Sequence, residues 1–332
     1  MTSFDSYLNV KPIYGAFLIY TFPLFCLLML SLTSKAQLYP VFSQYYFNEL
    51  FINPAYAGSH IQLSATSTYR NQWLNFPGAP KTVSFSAHSS FMQGKVGLGF
   101  LTNADKIGSY SNKDIALIYS YRLRFGKSTL AFGLQAMGYF MSADFSALNL
   151  RDPGSPDFLP VNKFKPNIGT GIYFSKKNFF AGLSVPYLMN TDFRKTGTGI
   201  NLQLKRTYFL RSGVILNMDQ KGNFKVNPNI LAKVQEGQPL SVDLNTAFIF
   251  YDSFSAGLSY RTGKSMIGFV SMKLTEQLFF NYSFDFTQQD LRPFASGTHE
   301  FMINYRYKIS RIHKNLPCPT YWNYHEQDSF KY

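Results

Sequence analysis

The residues best suited to catalysis or metal binding are five histidines and two cysteines. His88 follows Ser84 and Ser86 at intervals of two, so all three side chains share one face of an extended strand. A serine nucleophile needs a base that a third group orients, and no acidic residue stands at a suggestive place for this. A second group lies near the C-terminus and consists of His313, Cys318 and His325. Its spacing matches no zinc pattern, so we predict no catalytic residue, no metal and no cofactor.

The chain is basic, with 32 Lys and Arg against 18 Asp and Glu and a formal net charge of +14. Many charged residues alternate with apolar residues, which places them together on one face of extended runs. The candidates for an inward, hydrated face are Arg122, Arg124, Asp243, Arg261, Asp285 and Arg306, together with Arg211, Lys308, Asp114 and Glu300. We interpret them as paired charges lining a water-filled lumen, with a basic, anion-selective channel as the alternative. They form no stripe that would follow phosphates, so no nucleic-acid partner is expected.

The first 36 residues have the composition of a secretory signal. Lys11 precedes an apolar run over residues 13–32, and Ser34-Lys35-Ala36 supplies small residues before a cleavage site. We predict cleavage after Ala36, with an uncleaved membrane anchor as the alternative. The mature chain would then hold one cysteine and no internal disulfide. No later apolar run approaches the length of a spanning helix, so membrane insertion would require strands.

The rest of the chain consists of short runs that alternate with period 2, the pattern of strands with two different faces. Residues 114–125 (DIALIYSYRLRF) are the clearest example. Fourteen runs are predicted, near residues 61–70, 81–90, 95–103, 113–125, 129–141, 166–175, 178–185, 206–217, 224–235, 240–251, 254–261, 265–273, 277–288 and 298–310. Short turns on one side alternate with mostly longer loops on the other, as in outer-membrane barrels.

These strands predict an all-β protein, a transmembrane antiparallel β-barrel of about fourteen strands. Lipid offers no hydrogen-bond partners, so a sheet enters a bilayer only when every edge is paired. A soluble sandwich or propeller is the alternative, but one core could not bury so many aromatic faces. Because eight strands already enclose a side-chain-filled interior, fourteen leave a wider lumen that something must occupy.

The expected occupant is the stretch before the first strand. It contains a predicted helix capped at Ser43 and a turn, NPAYAG, with Asn53 as cap, Pro54 in the first helical position and Gly58 as the stop. The predicted organisation is a signal peptide (1–36), a plug or periplasmic hatch (37–60), the barrel (61–310) and a periplasmic tail (311–332). The tail is a docking candidate or a disordered end.

The order of several motifs resembles the PorP/SprF family of type IX secretion membrane proteins. They are QLYPVFSQYYFNELFINPAYAGS, YRNQW, PGAPKTVSFSAH, VGLGF, D-K-I-G, YSYRLRF, GTHEFMINYRY and CPTYW. The matching positions are Asn53, Pro54, Tyr56, Gly58, Arg70, Trp73, Gly78, Pro80, Asp105, Gly108, His299, Glu300, Cys318 and Pro319. We interpret these as architectural: a capped turn, strand ends and the first two extracellular loops, with direct partner contact as the alternative. Arg70 and Trp73 are candidates for a cation–π pair or a loop anchor. The glycines of VGLGF and TGTGI are interpreted as ordinary strand and loop glycines.

The resemblance implies a non-enzymatic, integral outer-membrane protein of Bacteroidota, with periplasmic termini and a role in protein secretion or gliding motility. Its implied partners are type IX secretion components, either the periplasmic ring and motor complex or one large adhesin with a type B C-terminal secretion domain. Membrane lipid and lipopolysaccharide are expected around the barrel. A passive channel for a small solute is the alternative function.

Overall fold

A closed antiparallel barrel forms the body of the protein. The computed structural model describes residues 42–60, 62–146, 160–193, 203–262, 265–286 and 296–307. Within these ranges the barrel strands are β1 (Leu63–Asn71), β2 (Lys81–Phe91), β3 (Val96–Ile107), β4 (Tyr110–Phe125), β5 (Ser128–Ala143), β6 (Val161–Lys176), β7 (Phe179–Val185), β8 (Thr207–Val214), β9 (Phe224–Gln235), β10 (Ser241–Phe250), β11 (Phe254–Arg261), β12 (Ser265–Lys273), β13 (Leu278–Phe286) and β14 (Thr298–Tyr307). A short segment, Leu216–Asn217, extends the pairing with β9, and a two-stranded ribbon (Thr191–Asp192 with Gln203–Leu204) lies in the connection before β8.

Each barrel strand pairs with its neighbours in the sequence, and the last pairs with the first. The closing register between β1 and β14 runs from Leu63 opposite Tyr307 to Asn71 opposite His299. Closure leaves no free sheet edge, which is the condition for strands to cross a bilayer. The predicted fourteen-stranded antiparallel barrel is confirmed.

The two faces of the strands carry different chemistry. On β4 the outward side chains are apolar and exposed, as shown by Leu117 at 66% exposure, whereas the inward Ala116 and Ser120 are fully buried. The outward set on this strand is Ile115, Leu117, Tyr119, Tyr121, Leu123 and Phe125. An apolar, aromatic outer face with a polar inner face is the arrangement of a transmembrane barrel. Among the described residues no helix is long and apolar enough to cross a membrane.

The barrel has a turn side and a loop side. On the turn side, short connections such as 126–127 and 177–178 join the strands. On the loop side lie longer connections such as 72–80 and 236–240. One loop-side connection is shorter than predicted. Only residues 108–109 join β3 to β4, so Asp105 lies inside β3 rather than in an extracellular loop. The polar residues that suggested a loop instead form the inward face of two longer strands.

Residues 42–60, here called the inner segment, lie inside the barrel. Almost every side chain in it is buried, including Tyr45, Leu50 and Tyr56 at 2% exposure or less. It contains two short 3-10 turns, Glu49–Phe51 and Pro54–Tyr56. The predicted helix beginning at Ser43 is wrong, because residues 43–47 form turns and the Ser43 backbone N–H donates to Glu300 at 2.8 Å. A segment surrounded by barrel wall finds hydrogen-bond partners outside itself and needs no regular helix.

Candidate functional site: the inner segment and the loop-side cavity

The NPAYAG motif forms a compact corner at the end of the inner segment. The Asn53 side-chain oxygen accepts a hydrogen bond from the Ala55 N–H at 2.9 Å, and Pro54 occupies the first position of the 3-10 turn. Gly58 has φ +67°, the left-handed backbone that glycine adopts without strain. The corner thus has the cap, the proline start and the glycine stop that its sequence suggests.

A slot of four strand glycines receives this corner. An ideal Cβ on Gly133 would lie 2.1 Å from the Ala55 nitrogen, and one on Gly97 would lie 2.1 Å from the Ala57 carbonyl oxygen. Cβ atoms on Gly171 and Gly182 would lie 2.2 and 2.8 Å from the Asn53 side chain. The sequence interpretation of the VGLGF glycines as ordinary strand glycines missed this contact. A glycine inside a strand does indicate close approach of another backbone, and that was the available signal.

Inward side chains of β2 and β4 bind the backbone of the corner. Arg122 donates to the carbonyl oxygens of Ala57 and Gly58, and Ser120 donates to the Ala57 oxygen at 2.7 Å. His88 accepts the Gly58 N–H at its Nδ1 atom over 3.0 Å. His88 therefore orients toward the corner and not toward a neighbouring serine.

The beginning of the inner segment is bound at the opposite end of the barrel. Glu300, the third residue of β14, accepts the backbone N–H groups of Ser43 and Gln44 at 2.8 and 2.9 Å. Arg70, near the end of β1, pairs with Glu300 at 2.8 Å and donates to the Ser43 hydroxyl at 2.7 Å. The inner segment consequently crosses the lumen from the loop side to the turn side, and its described start does not lie on the turn side.

Arg70 does not form the suggested cation–π pair with Trp73, because its guanidinium is committed to Glu300. Trp73 lies in the 72–80 loop and packs edge-on against Phe76 with ring centroids 6.3 Å apart. Its backbone N–H donates to Thr298 Oγ1 at 3.2 Å. Trp73 therefore bridges the first loop to the start of β14.

The middle of the inner segment is held by a buried ion pair. Glu49 contacts Arg211 of β8 at 2.9 Å, and the guanidinium also lies over three aromatic rings at 5.1–5.8 Å. These rings belong to Tyr45, Tyr46 and Phe180. Asn245 of β10 donates to the Tyr45 hydroxyl, and Asn48 donates to Ser86 at 2.7 Å. Contacts thus reach the segment from well-separated parts of the wall.

The other predicted lumen charges occupy different environments. Asp243 forms a bidentate pair with Arg261 at 2.8–3.0 Å, and Arg306 lies 4.8 Å from the Phe279 ring centroid. Asp285 is half-buried and accepts from Ser265. Arg124 differs from the prediction, because it is exposed at the turn-side end of β4 and donates to the Gln93 carbonyl. Among the described lumen charges, Asp243 pairs with Arg261, Arg211 with Glu49 and Glu300 with Arg70, whereas Asp114 forms no ion pair.

Several motif residues meet at an open cavity of about 410 Å³ on the loop side. Its lining includes Trp73, Phe76, Gly78 and Gly108, and the lysines Lys81 and Lys106. The Gly108 N–H donates to the Gly78 carbonyl at 2.9 Å, which joins the first loop to the β3–β4 turn, and the Gln72 N–H donates to the Pro80 carbonyl at 3.0 Å. His299 lies nearby on β14 and contacts the Tyr282 hydroxyl at 2.8 Å. Residues 1–41 and 308–332, with the predicted signal, the tail, Cys318 and Pro319, lie outside the described residues.

A family model described as type IX secretion system membrane protein PorP/SprF matches residues 34–305. The chain belongs to the PorP/SprF family. With its closed, apolar-faced barrel, this PorP/SprF protein is an integral outer-membrane component of type IX secretion. Comparison with curated proteins finds no match.

The comparison with solved structures finds distant likenesses to outer-membrane proteins. Omp33 of Acinetobacter baumannii has 8% identity and a TM-score of 0.43 over 74% of this chain and 97% of its own. The toluene transporter TodX of Pseudomonas putida has 10% identity and a TM-score of 0.43 over 84% and 96%. A NanC porin structure has 9% identity and a TM-score of 0.39 over 74% and 100%.

Proposed function

We propose that this PorP/SprF protein is a non-enzymatic secretion component that acts through its loops and ends, not through an open pore. The observation that carries this proposal is the inner segment, which lies buried in the lumen and is bound at the loop side, the middle and the turn side. A passive porin needs a continuous aqueous path, and a segment anchored at three levels opposes one.

The partner contacts are proposed for the two ends of the barrel. On the loop side, the cavity beside Trp73 and Phe76 offers aromatic surface and two lysines to an exported protein. Aromatic side chains are enriched in protein interfaces because they bury a large area with little loss of conformational freedom. We propose that the loop side faces the exterior and binds an adhesin with a type B C-terminal secretion domain.

The turn side, in this proposal, faces the periplasm and contacts the ring and motor complex. The residues that begin and end the barrel, Leu63 and Tyr307, both lie on that side. The tail from residue 311 would then start in the periplasm, where it is available for docking.

Deletion of the gene, followed by mass spectrometry of surface proteins, tests the secretion role. Loss of one adhesin identifies a dedicated partner, and loss of many exported proteins identifies a part of the core machine. An unchanged surface with altered uptake of a small solute would refute the secretion proposal and favour the channel.

A variant of the loop-side cavity tests whether the cavity binds cargo, independently of whether the barrel folds and inserts into the membrane. The double substitution Trp73→Ala and Phe76→Ala removes both rings, while Phe91→Ala removes an exposed ring on the turn-side end of β2. We expect the double variant to retain the barrel in the outer membrane but to lose surface cargo. Equal cargo levels in both variants would contradict a docking role for the cavity.

A further inference from the structure

Oxygen-bearing side chains gather on the lumen face of three adjacent strands near the loop side. Asp105 of β3 lies opposite Asn112 of β4, and Asn103 lies opposite Asp114. On the other side of β3, strand β2 places Thr82 opposite Asp105 and Ser84 opposite Asn103. All six side chains are buried, with exposures of 1–7%. We propose that this cluster, here called the β2–β4 oxygen cluster, binds one calcium ion.

The two carboxylates of the cluster have no counter-charge in contact with them among the described residues. Within the described part of the chain, no Lys, Arg or His forms an ion pair with Asp105 or Asp114. The cations nearest in register are Arg70, which lies two strands from Asp105 and pairs with Glu300, and Lys165, which lies two strands from Asp114. Two buried carboxylates without a counter-charge are costly, and a bound cation would offset that cost.

Several buried oxygens of the cluster have no hydrogen-bond partner. The Oδ1 atoms of Asn103 and Asn112 and the Ser84 hydroxyl make no hydrogen bond. Asn112 is only 7% exposed, and a buried amide oxygen without a donor is uncommon in folded proteins. Coordination to a cation is one of the ways in which such an oxygen is satisfied.

The internal hydrogen bonds leave free lone pairs that a metal would use. Thr82 donates to Asp105 Oδ1 at 2.6 Å, and Asn103 donates through its nitrogen to Asp114 Oδ2 at 2.9 Å. These two bonds hold the carboxylates in place and leave the Asn103 Oδ1 atom without a donor. Each carboxylate keeps its second oxygen for a ligand.

The chemistry and dimensions select a hard, large divalent cation. Facing Cβ atoms in an antiparallel pair are about 5 Å apart and same-face neighbours about 7 Å apart. An ion at the centre would therefore lie within reach of the four side chains on β3 and β4, which are Asn103, Asp105, Asn112 and Asp114. Calcium accepts six to eight oxygens at about 2.3–2.6 Å in flexible geometry, whereas zinc prefers nitrogen and sulfur. The cluster has two carboxylates, so amide and hydroxyl oxygens would supply the remaining ligands.

Terbium luminescence and calcium titration of the purified mature barrel in detergent, free of lipopolysaccharide, test the site. Tyr139 of β5 lies opposite Asp114 and is buried, so it would sensitise terbium bound in the cluster. We expect one saturable site for which calcium displaces terbium. Tyr139→Phe should lower the emission and leave calcium affinity unchanged.

Ligand variants supply the decisive comparison. Asp105→Asn and Asn112→Ala should each weaken calcium binding on the order of tenfold or more, because ligand charge and number set the affinity. Asp285→Asn, which alters a carboxylate near the loop-side end of β13, should bind calcium as the unaltered protein does. The Asn112 Oδ1 atom has no hydrogen-bond partner in the structure, so Asn112→Ala should keep the barrel intact if Asp105→Asn does not fold. Absence of a saturable calcium site, or equal affinity in Asn112→Ala and Asp285→Asn, would overturn the assignment.

Discussion

At the scale of single residues, the docking of the inner segment depends on glycines, at which the barrel wall has no side chain. Gly97 and Gly133 allow the Ala57 carbonyl and the Ala55 nitrogen to lie where a Cβ would otherwise stand. Arg122, Ser120 and His88 can reach the corner backbone only because it lies so close to the wall. Missing side chains and polar side chains therefore act together at this contact.

A single methyl group should displace the corner. In Gly133→Ala the new Cβ meets the Ala55 backbone, which cannot rotate away as a side chain can. We expect a loss of about 1–3 kcal/mol in the free energy of unfolding and faster proteolysis within residues 42–60. Urea unfolding and timed digestion in detergent measure both.

Gly268→Ala is the matched control, since its Cβ would meet only Leu258 Cδ2 at 4.0 Å. It adds the same methyl group to a strand of the same barrel. If the two alanine variants unfold and digest alike, the close approach at Gly133 has no energetic consequence.

At the scale of elements, the strands can be predicted from the alternation of apolar and polar residues, whereas the conformation of the inner segment cannot. Alternation along residues 114–125 predicts the outward and inward faces of β4 because each side chain meets lipid or lumen in turn. The same rule failed at the β3–β4 connection, where the inward residues Asp105 and Asn112 resemble a polar loop. The inward face of this barrel buries polar residues, so polarity alone does not mark the end of a strand.

The candidate site was predictable only in part for a related reason. The cap of Asn53 on Ala55 spans two residues and is visible in the sequence, whereas the pair Arg70–Glu300 joins residues 230 positions apart. Closure of the barrel creates that pair, because it places β14 beside β1. Contacts of this kind exist only once the whole sheet has formed.

Glu300 connects three elements, so a charge-removing substitution there should be costly. Glu300→Gln keeps the size of the side chain but leaves buried Arg70 without its counter-charge and weakens the bonds to Ser43 and Gln44. We expect a loss of about 3–5 kcal/mol in the free energy of unfolding. Urea titration of the barrel in lipid vesicles measures it.

Glu276→Gln is the control for removing a paired carboxylate. Glu276 pairs with Lys273 at 2.7 Å, but its side chain is 89% exposed. Exposed pairs contribute about 0–1 kcal/mol, so this variant should unfold almost as the unaltered protein does. Equal losses in the two variants would mean that the β1–β14 pair is no more important than a surface pair.

At the scale of the whole molecule, the barrel wall encloses an interior that the inner segment occupies. Fourteen strands enclose more space than their own side chains fill. Phe42, Tyr45, Tyr46, Leu50 and Tyr56 belong to the same buried cluster as the inward aromatics of the wall. The hydrophobic core of this membrane protein is thus its lumen, with lipid solvating the outside.

Removal of the inner segment should therefore open the lumen of the barrel to ions. We expect the mature protein in planar lipid bilayers to show no stepwise ion current, and a variant lacking residues 42–58 to show discrete steps. Stronger conduction of anions than of cations is expected in the variant, because the deletion exposes Arg122 and Arg211 and removes Glu49, the partner of Arg211. Heat-dependent mobility on gels verifies that the variant lacking residues 42–58 still folds as a β-barrel. If the intact protein conducts as well as a folded deletion variant does, the inner segment leaves an aqueous path open, and the solute-channel function becomes the better account of this molecule.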